Sequence, residues 1–350
     1  MSKPTQERIK WSYVTHKVPQ DTVVSWEKRP DNPRIGDVVL QRVLSLGKHT
    51  RMDNREGRTQ HFFPGDLVAV AFGNRYATDQ YEGFVPPARE QYHMLGIGGV
   101  CGMVGTKNES MPDPTVLEFV GYAIDRRGNV VNLRDHRLKP RSRGKSPRGF
   151  KSILSVGASM NSGKTTTAAM VIRGLARAGC RVAAAKLTGT AAIKDLHFMR
   201  DAGADTVIDF THYGCPSTSR VSLRKLLRLV RTIESHLAAT DPHFVVYEVA
   251  DGIFQRETAL LLSSEEFRSR IDYTFFSSPD SLAAEAGKRA LERQGFPPIA
   301  FSGIVSASEL GKQEVQTATG LPCLSSRELA EGGIVALLDL ESPELRRKAV

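Results

Sequence analysis

The sequence has few cysteines and no long apolar run, and each shortage excludes a class of protein. The four cysteines lie far apart and form no C-x-x-C pair, which argues against a zinc site and against a disulfide framework. No apolar run approaches the roughly 20 residues that cross a bilayer, and residues 1–11 have no signal-peptide core. We therefore expect a cytoplasmic protein with no membrane partner.

A dinucleotide-binding motif is also missing, although residues 96–102 are rich in glycine. Their spacing is not G-x-G-x-x-G, and no helical pattern follows them. Glycines inside a strand more often mark a bulge or a close approach of another chain segment. We therefore interpret this stretch as a bulged or closely packed strand.

The net charge is +10, and most of the excess lies in residues 1–150. Much of it falls in residues 136–150, where proline and glycine interrupt the basic residues. Such a run can contact nucleic acid. A solvated linker is favoured, because no Phe, Trp or Tyr lies between the charges from Arg137 to Arg148. The arginines of a helix predicted over residues 221–239 are likewise interpreted as a solvated face.

The first half of the chain carries a β pattern without a chemical motif. Residues 1–34 mix proline, charge and isolated aromatics, which predicts an irregular segment that packs only locally. From residue 35 to residue 135, short β-prone runs alternate with turn sequences, which predicts a small, mostly antiparallel barrel or sandwich. The runs are Asp37–Leu46, Leu67–Phe72, Met94–Val104, Thr115–Ile124 and Asn129–Leu133.

The second half is organised around residues 157–166. From Ala158 the sequence reads A-x-x-x-x-G-K-T, which matches the phosphate-binding P-loop pattern with Ala in place of the first Gly. An apolar run precedes this stretch and a helical pattern follows it. Backbone amides of such a loop converge on phosphate oxygens, and its Lys and Thr supply a positive charge and a Mg²⁺ ligand. The predicted nucleotide-binding residues are Ala158, Ser159, Met160, Asn161, Ser162, Gly163, Lys164, Thr165 and Thr166.

Strand and helix patterns then alternate to the C-terminus, including a strand pattern at Tyr273–Ser277 and helical patterns at Ser281–Gln294 and Glu309–Thr319. Repeated βα units of this length predict a parallel sheet between two layers of helices. The strand over residues 243–248 ends in Glu248, at the edge where parallel sheets bind ligands, so this carboxylate can hold Mg²⁺. The predicted organisation is an irregular segment (1–34), a small β domain (35–135), a basic linker (136–150) and a P-loop NTPase domain (151–350).

Three motifs give residues 151–330 a resemblance to the SIMIBI class of P-loop proteins. This class includes dethiobiotin synthetase, the cobyrinic acid amidating enzymes and the molybdopterin-guanine dinucleotide accessory protein. The motifs are the loop 158–166, the strand end 185–189, which resembles K-P-V-x-x-G, and residues 246–252, which are similar to V-V-E-G-A-G-G. The chain departs from the last motif at Val249 and Asp251, both glycine in the synthetase.

The resemblance implies a role for each site residue. Lys164 and Thr165 would bind phosphates and Mg²⁺, and Lys186 would contact the substrate or the γ-phosphate. Asp195 and Glu248 would complete the metal site with Thr165. The implied catalytic residues are thus Lys164, Lys186 and Glu248, and the resemblance also implies a homodimer.

These observations predict an Mg-ATP-dependent enzyme that acts on a small molecule. It would be a kinase or a ligase, working by phosphoryl transfer or by carboxylate activation. The absence of an N-K-x-D guanine-reading motif favours ATP over GTP. The alternative is a nucleotide-dependent switch or accessory ATPase whose basic N-terminal module binds nucleic acid or a protein. Nucleic acid binding through the basic linker stays open but is not favoured.

Overall fold

A computed structural model describes residues 9–141 and 149–340, so part of the basic linker predicted at residues 136–150 lies outside the described residues. The chain forms two compact units. One comprises residues 1–139 with the segments 189–194 and 210–220, and the other comprises the remaining residues from 140 onward. Within the described ranges, no helix is both long and apolar enough to cross a membrane.

The first unit is built on a mixed, largely antiparallel sheet. Its strands are β1 (Ile9–Trp11), β2 (Ser25–Glu27), β3 (Val38–Ser45), β4 (Arg51–Asp53), β5 (Thr59–His61), β6 (Leu67–Phe72), β7 (Tyr81–Phe84), β8 (Gln91–Gly96), β9 (Val100–Lys107) and β10 (Val116–Ile124). Eight of them follow the order β1-β6-β3-β10-β8-β9-β7 with β2 on β10, and β4 pairs with β5. Because β6 also pairs with β9, the strands β6, β3, β10, β8 and β9 close into a small barrel, which is one of the two forms predicted.

Successive residues of the barrel strands contribute to two apolar clusters. In β3, Val38 and Leu40 belong to one cluster, and the intervening Val39 belongs to the other. In β6, Ala69 and Val70 divide in the same way. This alternation follows from the two-residue period of a strand, and it means that both faces of these strands are buried.

Residues 9–34, the described part of the N-terminal segment, add two short strands to this sheet, where the sequence predicts a mostly irregular segment that packs only locally. Strand β1 pairs in parallel with β6, and β2 pairs with β10. Trp11 and Tyr13 are buried in one of the two clusters. The sequence pattern missed β1 and β2 because a three-residue strand is too short to show a period.

The glycine-rich stretch 96–102 runs from the last residue of β8 through a closely packed turn at residues 97–99 into β9. A Cβ atom on Gly98 would lie 2.2 Å from the carbonyl oxygen of Ala191, and one on Gly99 would lie 2.1 Å from Cβ of Ser12. Gly99 also has a φ of +92°. The interpretation as closely packed backbone is confirmed, but the predicted single run Met94–Val104 is two strands.

The second unit contains a six-stranded parallel sheet. Its strands are β11 (Lys151–Gly157), β12 (Val182–Lys186), β13 (Thr206–Asp209), β14 (Phe244–Glu248), β15 (Tyr273–Ser277) and β16 (Pro298–Ser302), in the order β13-β12-β14-β11-β15-β16. Its helices are α1 (Lys164–Arg177), α2 (Lys194–Asp201), α3 (Leu223–Leu237), α4 (Arg256–Leu262), α5 (Glu265–Arg268), α6 (Ser281–Gln294), α7 (Glu309–Thr319), α8 (Ser326–Glu328) and α9 (Ile334–Leu337).

Helices cover both faces of this sheet because alternate strand residues are buried on opposite sides. Phe275 of β15 packs in the cluster that contains Ala168 and Ile172 of α1. The next residue, Phe276, contacts α6, where a Cβ on Gly287 would lie 2.2 Å from its ring. The predicted three-layer domain with a parallel sheet is therefore confirmed.

Candidate nucleotide-binding site

The candidate site lies at the carboxyl ends of three adjacent strands. Lys164 and Thr165 begin α1, directly after the loop that follows β11, Lys186 is the last residue of β12, and Glu248 is the last residue of β14. Since β14 pairs with both β11 and β12, the three strand ends are neighbours. The fold thus brings together residues that are far apart in the sequence.

The loop at residues 158–166 leaves a run of backbone amides without acceptors. Among the described residues, the amides from Ser162 to Thr166 donate no hydrogen bond. Asn161 (φ 60°) and Gly163 (φ 102°) adopt left-handed conformations that turn the loop into the first turn of α1. Consecutive free amides at a helix N-terminus form an anion-binding cradle. The cradle has the chemistry that phosphate oxygens require.

Polar contacts that the sequence analysis missed hold the loop in place. The Ser155 hydroxyl donates to the carbonyl oxygen of Lys164 at 2.9 Å, and the Ala158 amide donates to the Ser277 carbonyl oxygen at 3.0 Å. The hydroxyls of Ser277 and Thr167 lie 2.9 Å apart. The sequence did contain a signal for these contacts, since Ser155 and Ser277 carry hydroxyl groups within otherwise apolar strands. A buried polar group needs a hydrogen-bond partner.

Lys164 folds back over its own loop. Its Nζ donates to the carbonyl oxygen of Ser159 and to the hydroxyl of Ser162, at 3.3 Å from the latter. Burial lowers the pKa of Lys164 to about 8, although Glu248 and Asp251 oppose the shift. Burial therefore disfavours the charged form of Lys164, and a bound anion would stabilise that form.

We expect nucleotide affinity to weaken as the pH rises above about 8. Without nucleotide the pKa of Lys164 is about 8, and a bound phosphate would raise it. Nucleotide therefore binds most strongly below about pH 8, and affinity is lost as the lysine deprotonates. The dissociation constant should rise by about tenfold per pH unit until the bound-state pKa is reached. Calorimetric titration with Mg-ATP on both sides of about pH 8 measures this, and a pH-independent affinity would contradict it.

Lys186 joins the two carboxylates predicted as metal ligands. Its Nζ forms ion pairs with Asp195 and, at 3.2 Å, with Glu248. Burial alone would lower the pKa of Lys186, but Asp195 and Glu248 outweigh it and raise the pKa. The ammonium therefore stays charged at every physiological pH.

Thr165 and Glu248 form the part of this site that suits a Mg²⁺ ion. The Thr165 hydroxyl donates to Oε1 of Glu248 at 2.7 Å, and Oε2 of Glu248 is buried without a hydrogen-bond partner among the described residues. A buried, unpaired carboxylate oxygen beside a hydroxyl suits a hard cation or its bound water. Asp195 is instead engaged with Lys186, and the described residues contain no cluster of three His, Cys, Asp or Glu that could hold a metal.

Comparisons with known proteins give partial matches to solved structures only. No family model matches the sequence, and no curated protein matches it. Three solved structures overlap 58–59% of the chain: the signal recognition particle 54 kDa protein from Aeropyrum pernix in complex with GDP (20% identity, TM-score 0.38), the signal recognition particle receptor from Elizabethkingia anophelis in complex with GDP (13%, 0.34) and a ParA family ATPase from Chlorobium tepidum (12%, 0.33).

The matched regions cover 50%, 58% and 97% of those three chains, so the first two matches reach only about half of their length. The parallel sheet and the loop after β11 define an α/β domain of the P-loop NTPase type.

Proposed function

We propose that the chain is an Mg-ATP-dependent enzyme that acts on a small molecule by phosphoryl transfer or by carboxylate activation. The observation that carries the proposal is the run of five free amides from Ser162 to Thr166, placed beside Lys164 and the Thr165–Glu248 pair. Free amides, a lysine and a buried carboxylate at one helix N-terminus are the parts that P-loop enzymes use on nucleotide phosphates.

The residues of the site would hold the nucleotide and stabilise the negative charge that develops during phosphoryl transfer. The free amides and Lys164 would bind the β- and γ-phosphates, which places donors where negative charge accumulates during transfer. Thr165 and Glu248 would hold Mg²⁺, which when bound neutralises part of the phosphate charge. Lys186 would contact the acceptor or the γ-phosphate from the end of β12. Positioning and charge stabilisation supply most of the rate enhancement in such reactions.

Calorimetric titration of the full chain with Mg-ATP and Mg-GTP tests the proposal. Saturable binding of Mg-ATP, with weaker binding of Mg-GTP, is the expected result. Binding of neither nucleotide would overturn the proposal, and a clear preference for Mg-GTP would overturn the assignment of ATP. Light scattering with and without Mg-ATP tests the proposed homodimer in the same samples.

Glu248→Gln is expected to lower ATP turnover by about 10²-fold. The amide keeps the size of the side chain and can still accept hydrogen bonds from Thr165 and Lys186, but it removes the charge that would hold Mg²⁺. The titration of activity with Mg²⁺ should shift to higher concentrations. Steady-state kinetics across a magnesium series measures both effects, and Asp201→Asn, an exposed acid at the end of α2, serves as the control.

A second candidate function is a nucleotide-dependent switch that binds nucleic acid. One observation favours it: all four exposed residues of α3 are basic, namely Arg224, Lys225, Arg228 and Arg231. A one-sided basic face suits a phosphate backbone. Gel shift of labelled DNA or RNA over a salt series separates the two functions, because a metabolite enzyme should show no shift at physiological salt.

A further inference from the structure

Lys186 and Glu248 are neighbours at the ends of two adjacent strands. They are register partners in the parallel pairing of β12 with β14, and the amide of Leu187 donates to the carbonyl oxygen of Glu248 at 2.9 Å. Register partners in a parallel pair lie on the same face of the sheet. The strand pairing therefore fixes the Lys186 side chain beside the Glu248 carboxylate, with 3.2 Å between Nζ and Oε1.

A second carboxylate reaches the same lysine from the first turn of α2. Asp195 is the second residue of that helix, and its carboxylate forms an ion pair with Nζ of Lys186. Only 13% of the Asp195 side chain and 1% of the Glu248 side chain are exposed. Among the residues that the structure describes, neither carboxylate forms an ion pair with another cation. One ammonium thus serves two carboxylates that are shielded from solvent.

The Lys186 ammonium lies where a metal ion shared by the two carboxylates would lie. Its Nζ donates hydrogen bonds to Oδ2 of Asp195 and to Oε1 of Glu248. A divalent ion that bound both carboxylates would have to lie between the same oxygen atoms. Two cations so close together would repel each other strongly in a site that is almost closed to solvent. The ammonium and a divalent ion therefore compete for one place.

Glu248 is only partly satisfied by its present partners. Its Oε1 accepts from both Thr165 and Lys186, whereas its Oε2 is buried and has no hydrogen-bond partner within the described ranges. A buried carboxylate oxygen without a partner is costly. This oxygen points to a ligand that the nucleotide-free chain does not supply, and the proposed Mg²⁺ or its bound water has the required chemistry.

We propose that Lys186 is a positioning residue that excludes divalent metal ions from the Asp195–Glu248 pair until nucleotide binds. This inference rests on the proposed function, because it takes Glu248 as a ligand of Mg²⁺. Without nucleotide, the ammonium balances part of the charge of the two carboxylates and holds them together. A nucleotide phosphate offers the ammonium another anion, which frees the carboxylates for the metal ion that accompanies the nucleotide. The site therefore takes up metal only together with nucleotide.

Titration of the nucleotide-free chain with MnCl₂ tests this inference, because free and bound Mn²⁺ differ in their electron paramagnetic resonance signal. The parent chain should bind Mn²⁺ about tenfold more weakly than Lys186→Met, which has a side chain of similar length but no charge. Lys186→Arg keeps the charge and should bind Mn²⁺ as weakly as the parent chain. Since Lys186→Met leaves two carboxylates without their cation, its melting temperature should fall, and MnCl₂ should restore part of the loss.

The double variant Lys186→Met/Glu248→Gln locates the bound ion, because it should lose the Mn²⁺ binding that Lys186→Met gains. If Lys186→Met does not fold, Lys186→Gln replaces it, since its amide can still donate hydrogen bonds to a carboxylate. A neutral variant that binds Mn²⁺ no better than the parent chain would overturn the role of Lys186, and so would undiminished binding in the double variant. Failure of the parent chain to bind Mg-ATP would instead overturn the proposed function, so the two failures can be told apart.

Discussion

Lys164→Ala is expected to lower ATP turnover by about 10²–10³-fold or more while the protein stays folded. The lysine is the only side-chain cation that the described loop supplies to the proposed phosphate cradle, and its Nζ bonds only to the loop itself. Removal of a lysine whose charged form is already destabilised by burial should cost little folding free energy. Binding of Mg-ATP should weaken together with turnover, which calorimetry and a coupled ATPase assay measure.

Lys151→Ala is a suitable control for this experiment. Lys151 is the first residue of β11, the strand that leads into the loop, and forms an exposed ion pair with Asp272 at 3.3 Å, so it lies at the opposite end of β11 from the loop. Exposed pairs of this kind contribute about 0–1 kcal/mol to folding. Normal turnover in Lys164→Ala would remove the proposed function, and equal losses in both variants would indicate a general defect of folding.

Removal of residues 1–139 is expected to prevent the remaining chain from folding to its native state. Segments 189–194 and 210–220 stay in that chain, but they pack within the first unit. The amide of Gly98 donates to the Ala191 carbonyl oxygen at 3.1 Å, and the amide of Ile193 donates to Oδ2 of Asp53 at 3.3 Å. Ala191 is almost fully buried. Without residues 1–139, these apolar and polar groups would lose their partners.

Chain 140–350 should therefore be recovered in aggregates or without a cooperative unfolding transition. Circular dichroism during heating and size-exclusion chromatography measure this, with the full chain as the reference. Co-expression of residues 1–139 as a separate chain should restore part of the soluble yield, because it returns the missing partners. A shortened chain that melts cooperatively at the temperature of the full chain would contradict the expectation.

The elements of the second unit were largely predictable because their patterns are local. Strand β15 and the helices α6 and α7 match the predicted ranges Tyr273–Ser277, Ser281–Gln294 and Glu309–Thr319. Each has a buried run or a helical period that is visible in the sequence. The P-loop was equally visible, because phosphate binding requires particular residues at fixed spacing.

Contacts between distant segments could not be predicted in the same way. Pairing of β1 with β6 joins residues more than fifty positions apart, and nothing in a three-residue strand specifies its partner. The position of Lys186 between Asp195 and Glu248 depends on the order of the strands in the sheet. The sequence indicated these three residues, but it did not show that the lysine and the predicted metal ligands form one ion-paired group.

The division of the first unit into three stretches of sequence has a consequence for how the protein is made. Residues 1–139 emerge from the ribosome before residues 210–220 have been synthesised. The first unit therefore cannot be completed until the start of the parallel sheet has also been made. Native contacts that span so much chain form slowly, and incomplete cores expose apolar surface. Nascent chains arrested before residue 220 leaves the exit tunnel should therefore be cleaved readily by protease within residues 9–139, and longer ones should resist.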